Sequence, residues 1–267
     1  MQDRSCVRAL RALMSATALV TLLSAPALAG PPFQTDDPGT TPYHFFDVYL
    51  ASDYTRTFGS ADGTLPHVDI NYGLFPSANI TVTLPLADAQ ASRAPLHFGY
   101  GDTTFAAKVC ILRETDTLPQ ISFAPAVAVP TGKPELGLGE GNERAFFPLW
   151  GQKGFGRYTF FGGGGLWHNR GNGNRDYTVG GFAVARDMGR GLTLGAEIFG
   201  QSADTIGASG STGFSLGTIR QVDELHKILF SLGRSIRGTS SFSGYAAYEV
   251  LFGPRARTSA SDENAKS

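Results

Sequence analysis

The sequence predicts a closed antiparallel transmembrane β-barrel of about twelve strands, with both termini on the periplasmic side of a bacterial outer membrane. Three observations predict it: a secretory leader, a period-two hydrophobic pattern through the rest of the chain, and connections that alternate in length. Strands that cross a membrane imply a closed barrel, because among strand architectures only a closed barrel pairs every backbone N–H and C=O group inside hydrocarbon.

Residues 1–29 carry the three features of a signal peptide, namely a basic start, an apolar run and a cleavage motif of small residues. An uncleaved inner-membrane anchor is the alternative, but Pro26 stands where a spanning helix would have to continue. The mature chain is therefore expected to begin at Gly30. The features are Arg4, Arg8 and Arg11, residues 12–23, and Ala27-Leu28-Ala29.

The composition excludes several classes of protein. Formal net charge is -1 and no long basic run occurs, which argues against a nucleic-acid partner. Cleavage after residue 29 removes Cys6 and leaves Cys110 alone, so an internal disulfide is not expected. The 34 glycines are scattered through apolar segments, as suits tight turns and barrel bends.

Apolar residues alternate with polar or small residues through most of the mature chain. Residues 68–74 are typical, with Val68, Ile70 and Tyr72 on one face and Asp69 and Asn71 on the other. Many runs are long enough to cross a bilayer, which takes about 9–11 residues of tilted strand. The predicted strands are 43–55, 64–73, 78–87, 103–113, 119–129, 146–153, 156–168, 176–187, 191–202, 213–221, 226–236 and 243–252.

The connections between these strands alternate between short and longer segments. Outer-membrane barrels have short periplasmic turns and longer external loops, so this alternation favours a barrel. The short connections are 74–77, 114–118, 154–155, 188–190 and 222–225. The longer ones are 56–63, 88–102, 130–145, 169–175, 203–212 and 237–242.

Two end segments lack the period-two pattern. Residues 30–42 are rich in proline and are expected either to hang in the periplasm or to enter the lumen. Residues 253–267 read as a disordered polar tail after the barrel of residues 43–252.

Five polar residues are expected to face the lumen: Asp47, Asp69, Asn71, Lys108 and Glu197. Each lies on the polar phase of a strand, and a charge at mid-depth on the lipid face would cost about 2–4 kcal/mol for Lys or Arg. These residues either line a pore and set its selectivity, or pair with each other, for example Lys108 with Asp69 or Glu197.

Two further features leave alternatives open. Loop 130–145, with Glu135, Glu140 and Glu143, forms either an inward constriction or an ordinary solvated loop. Aromatic residues near strand ends form either interfacial girdles or ordinary core packing. They are Tyr43, Phe45, Phe46, Tyr54, Tyr72, Phe75, Tyr100, Phe146, Phe147, Trp150, Tyr158, Trp167 and Tyr177.

No motif predicts catalysis, a metal or a cofactor. The Gly132-Lys133 pair is not a phosphate-binding loop, because Val127 and Pro134 stand where that motif needs Gly and Ser or Thr. The five histidines are scattered without the spacing of metal ligands. An enzyme is therefore not expected.

Several short segments, in this order, resemble the family of outer-membrane barrels named for the meta-pathway of phenol degradation. The resemblance covers residues 33–252 and implies an outer-membrane barrel that passes small, often aromatic or hydrophobic compounds. The segments are Thr35-Asp36-Asp37-Pro38-Gly39-Thr40, Asp69-Ile70-Asn71-Tyr72-Gly73-Leu74, Gly101-Asp102-Thr103, Ala107-Lys108, Pro130-Thr131-Gly132, Pro148-Leu149-Trp150, Gln152-Lys153 and Gly195-Ala196-Glu197.

Three functions are compatible with the sequence. The first is passive or facilitated passage of a small organic solute, with outer-membrane lipid as the surrounding partner. The second is a barrel with a closed lumen that acts structurally or binds a surface through its loops. The third is a soluble secreted β-sandwich that binds a ligand.

Overall fold

The computed structural model describes residues 32–254. The predicted signal peptide and nearly all of the predicted polar tail lie outside the described residues. Within the described part, no helix is long and apolar enough to cross a membrane. Helical structure there is a single 3₁₀ turn, Pro134–Leu136.

The barrel wall has twelve strand positions, called here staves, and fourteen strands fill them. Two staves are each built from two short strands, β4 with β5 and β6 with β7. The strands are β1 Phe46–Thr57, β2 Ser60–Phe75, β3 Ala78–Ala91, β4 His97–Tyr100, β5 Thr103–Leu112, β6 Gln120–Phe123, β7 Ala126–Val129, β8 Arg144–Phe155, β9 Tyr158–Asn169, β10 Tyr177–Gly189, β11 Leu192–Gln201, β12 Ser211–Gln221, β13 His226–Arg237 and β14 Ser241–Phe252.

The barrel closes between its first and last strands. β1 pairs with β14 along its whole length, from Phe46 opposite Phe252 to Thr57 opposite Ser241. Each other stave pairs antiparallel with its neighbours in the sequence. The predicted closed barrel of twelve staves is confirmed, and the alternative of a β-sandwich is wrong because one sheet closes on itself.

The two divided staves are interrupted by residues that disfavour a continuous ladder. Gly101 and Asp102 separate β4 from β5, and Ala124 and Pro125 separate β6 from β7. Proline lacks the N–H group that a ladder requires. The sheet still continues across the second break, because Ala107 donates its N–H to the Pro125 carbonyl at 3.0 Å.

The connections differ from the prediction at one end of the barrel. At the short-turn end, β2, β8 and β10 lead into two-residue turns, as expected. At the opposite, loop end, predicted loop 56–63 is wrong, because β1 and β2 extend until only residues 58 and 59 remain between them. Hydrogen bonds between Thr57 and Ser60 close this hairpin. The longest connections at the loop end are 130–143 and 202–210.

The apolar surface of the barrel faces outward. Leu216 and Phe182 are 60% and 53% exposed, and polar residues such as Glu249 are buried on the inner face. This inside-out arrangement is the pattern of a lipid-facing barrel. Phe46 packs against Tyr72 and Phe252 at the short-turn end, as a girdle requires.

Candidate functional site

Residues 32–42, called here the luminal segment, lie inside the barrel. They cross from the β5–β6 wall, where Lys108 and Ser122 contact them, to the opposite wall, where Glu197 and Ser231 contact them. Thr35 is only 1% exposed. The C-terminal end of the segment lies toward the short-turn end, since Tyr43 bridges to Gly73 there. Pro32, at the other end, contacts Ser231 in the middle of β13.

Glu197 holds the apex of the luminal segment. Its carboxylate accepts the backbone N–H of Gln34 at 2.9 Å and that of Thr35 at 2.8 Å. The Ser215 hydroxyl donates to the same carboxylate at 2.7 Å. Glu197 is itself buried, and three donors satisfy the charge that burial would otherwise leave uncompensated.

Lys108 holds the segment from the opposite wall. Its Nζ lies 2.9 Å from the Asp36 carboxylate and donates to the Asp37 carbonyl at 2.8 Å. The sequence suggested Asp69 or Glu197 as its partner, and that pairing is wrong. The luminal segment supplies the carboxylate instead, from Asp36.

Wall side chains also bind carbonyl groups of the luminal segment. The Pro38 carbonyl accepts hydrogen bonds from Gln120 Nε2 at 2.8 Å and from Ser122 Oγ at 2.5 Å. Ser231 Oγ donates to the Pro32 carbonyl at 2.6 Å. Proline has no backbone N–H group, so the carbonyl is the backbone group through which each of these prolines can form a hydrogen bond. Hydroxyl and amide side chains of the wall donate to these carbonyls.

Glycines on the inner wall leave room for the luminal segment. A Cβ on Gly195 would stand 2.6 Å from Phe33 Cζ, and one on Gly217 would stand 2.8 Å from Phe33 Cε1. Phe33 also packs against Phe161, with ring centroids 5.9 Å apart. The wall is therefore shaped to this aromatic side chain, and a larger residue at either glycine would displace it.

A cavity of about 400 Å³, called here the acidic cavity, lies between the luminal segment and the β1–β3 wall. Four of the five predicted lumen residues line it: Asp47, Asp69, Asn71 and Lys108. The fifth, Glu197, does not line this cavity and contacts the backbone of Gln34 and Thr35 instead. The charged side chains lining this cavity are the carboxylates of Asp36, Asp37, Asp47, Asp69 and Glu249 and the amines of Lys108 and Lys227.

Hydrogen bonds orient the polar groups of the acidic cavity. Thr83 donates to Asp69 at 2.5 Å, and Thr81 donates to Asn71 at 2.6 Å. Lys227 pairs with the buried Glu249 at 2.5 Å. Carboxylates outnumber amines, so the field inside this cavity favours cations over anions.

A second cavity, of about 320 Å³, lies toward the loop end and is called here the aromatic cavity. Phe146 and Trp167 stack with centroids 4.6 Å apart and planes 9° apart. Trp167 and Tyr177 continue the stack at 6.2 Å and 15°. Gln34 of the luminal segment lines both cavities, as do Phe146 and Trp150 of β8.

The aromatic cavity corrects one prediction. Phe146, Trp150, Trp167 and Tyr177 were candidates for a girdle, yet their side chains line the lumen. The inward position of Trp150 could have been predicted from the alternation along β8. Trp150 lies on the same strand face as the polar Gln152, and Leu149 lies on the opposite, apolar face.

Hydrogen bonds connect loop 130–143 to Gly101 and Asp102, the residues between β4 and β5. Asp102 accepts the backbone N–H of Gly132 at 3.0 Å and that of Glu140 at 2.8 Å. Thr131 Oγ1 donates to the Gly101 carbonyl at 2.7 Å, and Leu138 is the buried side chain of the loop. The loop's three glutamates, Glu135, Glu140 and Glu143, are exposed.

Among residues 32–254, no group of three or more His, Cys, Asp or Glu side chains is arranged to hold a metal ion. Cys110 is a half-buried free thiol on β5, and its Sγ lies 3.3 Å from the Leu112 carbonyl.

Comparison with known proteins gives matches to solved structures. No protein-family model matches the sequence, and no curated protein matches it either. The outer membrane channel from Pseudomonas putida F1 aligns with a TM-score of 0.67 at 14% identity, covering 81% of this chain and 98% of that one. The fold is that of an outer-membrane β-barrel.

Two porins share this fold at lower similarity. The KdgM porin aligns with a TM-score of 0.54 at 10% identity, covering 76% of this chain and 99% of the porin. The NanC porin aligns with a TM-score of 0.54 at 7% identity, covering 76% and 98%. At such identities the likeness is one of architecture, and the lumen residues have to be interpreted from this chain alone.

Proposed function

We propose that this chain is a bacterial outer-membrane channel for small organic solutes, and that its own luminal segment regulates the passage. The observation that carries the proposal is the crossing of the lumen by residues 32–42, which polar contacts hold on both walls. The resemblance to the phenol meta-pathway barrels supports the choice of small organic solutes.

The luminal segment is held by side-chain contacts rather than by pairing of strands. A net hydrogen bond contributes about 0.5–1.5 kcal/mol, and one to a charged group about 1.5–3 kcal/mol. The luminal segment is held by a handful of these, on Glu197, Lys108, Ser122 and Ser231. Its release would join the acidic and aromatic cavities without unpairing any of the fourteen strands.

The proposal includes an orientation. The short-turn end, which also carries Tyr43 and Phe252, is assigned to the periplasm, because outer-membrane barrels have their short turns there. The luminal segment then enters the barrel from the periplasmic side, and loops 130–143 and 202–210 face outward. The aromatic cavity lies near that outer mouth.

A closed-lumen barrel is the competing function. In that case the luminal segment is a permanent filling, and the polar contacts of Glu197 and Lys108 serve stability alone. The two functions differ in what removal of the segment does. A gated channel becomes more open, whereas a structural barrel becomes less stable without acquiring a solute path.

Planar-bilayer conductance of the mature protein tests the proposal. A variant lacking residues 32–41 should show larger or more frequent current steps than the intact chain. The matched control lacks residues 255–267 instead and should behave like the intact chain. Heat-modifiable gel mobility verifies that each variant forms a barrel. If the folded variant lacking 32–41 gives no current steps, the channel function is wrong.

A further inference from the structure

The aromatic cavity differs from the rest of the lumen in its lining. Five aromatic side chains face it, contributed by four neighbouring strands, β8 to β11: Phe146, Trp150, Trp167, Tyr177 and Phe199. Aromatic residues of a membrane barrel ordinarily lie on its outer interfacial belts. Their concentration on an inner wall, beside an open space, indicates contact with a ligand rather than with lipid.

The lining of this cavity is uncharged. Apart from the Tyr177 hydroxyl and the indole N–H groups, the polar side chains that line it among the described residues are those of Gln34, Gln201 and Ser211. The acidic cavity below it, by contrast, carries five carboxylates and two amines. A charged side chain does lie beside this lining: the Arg144 guanidinium is 5.3 Å from the centroid of the Trp167 ring and pairs with Glu140 at 3.5 Å. Because that charge is already paired, a neutral ligand fits the cavity better than an ionic one.

The shape of the lining favours a flat ring. Phe146, Trp167 and Tyr177 stand nearly parallel on adjacent strands, with interplanar angles of 9° and 15°. Because these rings stack on one another, their faces are largely taken up by each other, and their edges are what can contact the face of a further ring. A saccharide would also contact such rings, but it needs partners for many hydroxyls, and three polar side chains supply few.

The size of the cavity agrees with a small arene. A dry apolar cavity of about 150 Å³ is enough to hold benzene. The aromatic cavity measures about 320 Å³, so it has room for one substituted ring and little more. The amides of Gln34 and Gln201 and the Ser211 hydroxyl can each bind a single hydroxyl on that ring.

We propose that the aromatic cavity is a binding site for one neutral, singly ringed aromatic compound. This site deepens the proposed function and rests on it for the solute's passage, but binding itself can be measured without passage. Gln34 forms part of the site, so a bound ring contacts the luminal segment directly.

The intrinsic fluorescence of the protein reports on this site, because the chain has two tryptophans and both line the cavity. The mature protein in detergent is titrated with benzyl alcohol, and cyclohexylmethanol serves as the matched non-aromatic probe. Benzyl alcohol should give a saturable change, with affinity roughly three- to tenfold above that of cyclohexylmethanol, the contribution expected of ring stacking.

Two variants localise the binding. Trp167→Leu should weaken benzyl alcohol binding by roughly three- to tenfold, with Trp150 left as the reporter. Phe199→Leu should weaken it in the same direction while keeping both tryptophans. The matched control is Phe182→Leu, which removes an outward-facing ring that is 53% exposed and should leave the affinity unchanged.

Three outcomes would overturn the site: equal affinity for the two alcohols, an unchanged affinity in both lumen variants, or preferential binding of methyl glucoside. These outcomes are separable from failure of the channel. Saturable aromatic binding by a barrel that never conducts leaves the site intact and refutes the channel. Conduction without such binding refutes the site alone.

Discussion

Thr35 donates its backbone N–H to the carboxylate of Glu197 at 2.8 Å, which joins residues 162 positions apart. The same carboxylate accepts the neighbouring N–H of Gln34. A single side chain of β11 therefore fixes the apex of the luminal segment through backbone groups. The contact depends on the presence of the carboxylate and not on which side chains the apex carries.

Replacing Glu197 by Gln should release the luminal segment. The amide keeps one acceptor oxygen but loses the charge that strengthens both backbone hydrogen bonds. A loss of about 1–3 kcal/mol corresponds to a roughly 5- to 150-fold rise in the released population. Single-channel open probability measures it. Glu135→Gln, in the exposed part of loop 130–143, is the matched control, and equal open probabilities in the two variants would contradict the role of Glu197.

Adding a methyl group to the wall should displace Phe33. In Gly195→Ala the new Cβ stands 2.6 Å from Phe33 Cζ, a distance that requires the segment to move. Gly244→Ala is the matched control, because its Cβ would meet nothing closer than 3.5 Å. We expect higher conductance and faster proteolysis of the N-terminal segment in the first variant only. A Gly195→Ala barrel indistinguishable from the control would show that the wall does not constrain Phe33.

The acidic cavity predicts cation selectivity of the open channel. In a salt gradient the intact protein should prefer K⁺ to Cl⁻, and Lys108→Met should increase that preference. A unit charge about 4 Å from a passing ion contributes about 1 kcal/mol in water, so the permeability ratio should rise roughly fivefold. Lys133→Met, on the exposed loop, controls for overall charge. An anion-selective channel would mean that ions do not pass the acidic cavity.

The outer face predicts a depth-dependent cost for charge. Leu216, in the middle of β12, is 60% exposed to the exterior. Leu216→Arg should lower the free energy of unfolding in lipid vesicles by about 2–4 kcal/mol. Leu225→Arg, in short turn 222–225, should change it by less than about 1 kcal/mol. Urea titration of both variants measures the difference, and equal effects would argue against a hydrocarbon layer around β12.

Hydrophobic alternation was sufficient to predict the twelve staves. In a barrel one face of each strand meets lipid and the other meets the lumen. Apolar and polar residues therefore alternate along almost the whole of each strand, as the outward Ile198 and the inward Glu197 illustrate. The break at Pro125 was not predicted, because the sheet continues across it and the hydrophobic pattern barely changes. Strand β4, His97–Tyr100, was not predicted either, because it lies within the predicted connection 88–102. Loop 56–63 was mistaken for a connection, since its polar residues form the extension of β1 and β2.

The contents of the lumen were harder to predict. Asp47, Asp69 and Lys108 were placed on the inner face by parity, but the carboxylate that pairs with Lys108 belongs to a proline-rich segment without any period. The sequence of such a segment does not indicate which residues it contacts, because those residues lie on strands that are far away in the sequence. The aromatic cavity was missed for a different reason: the rings of Trp167 and Tyr177 lie near strand ends, where a girdle is the usual explanation.

The course of the luminal segment also determines how it would respond to mechanical force. Because its contacts follow one another along the chain, a pull on the residues before Pro32 would load them one after another. The Pro32 carbonyl would leave Ser231 first, then Thr35 would leave Glu197, and Asp36 would leave Lys108 later. Unzipping in this order requires less force than shearing all contacts at once, so a pull toward the short-turn end would clear the lumen stepwise.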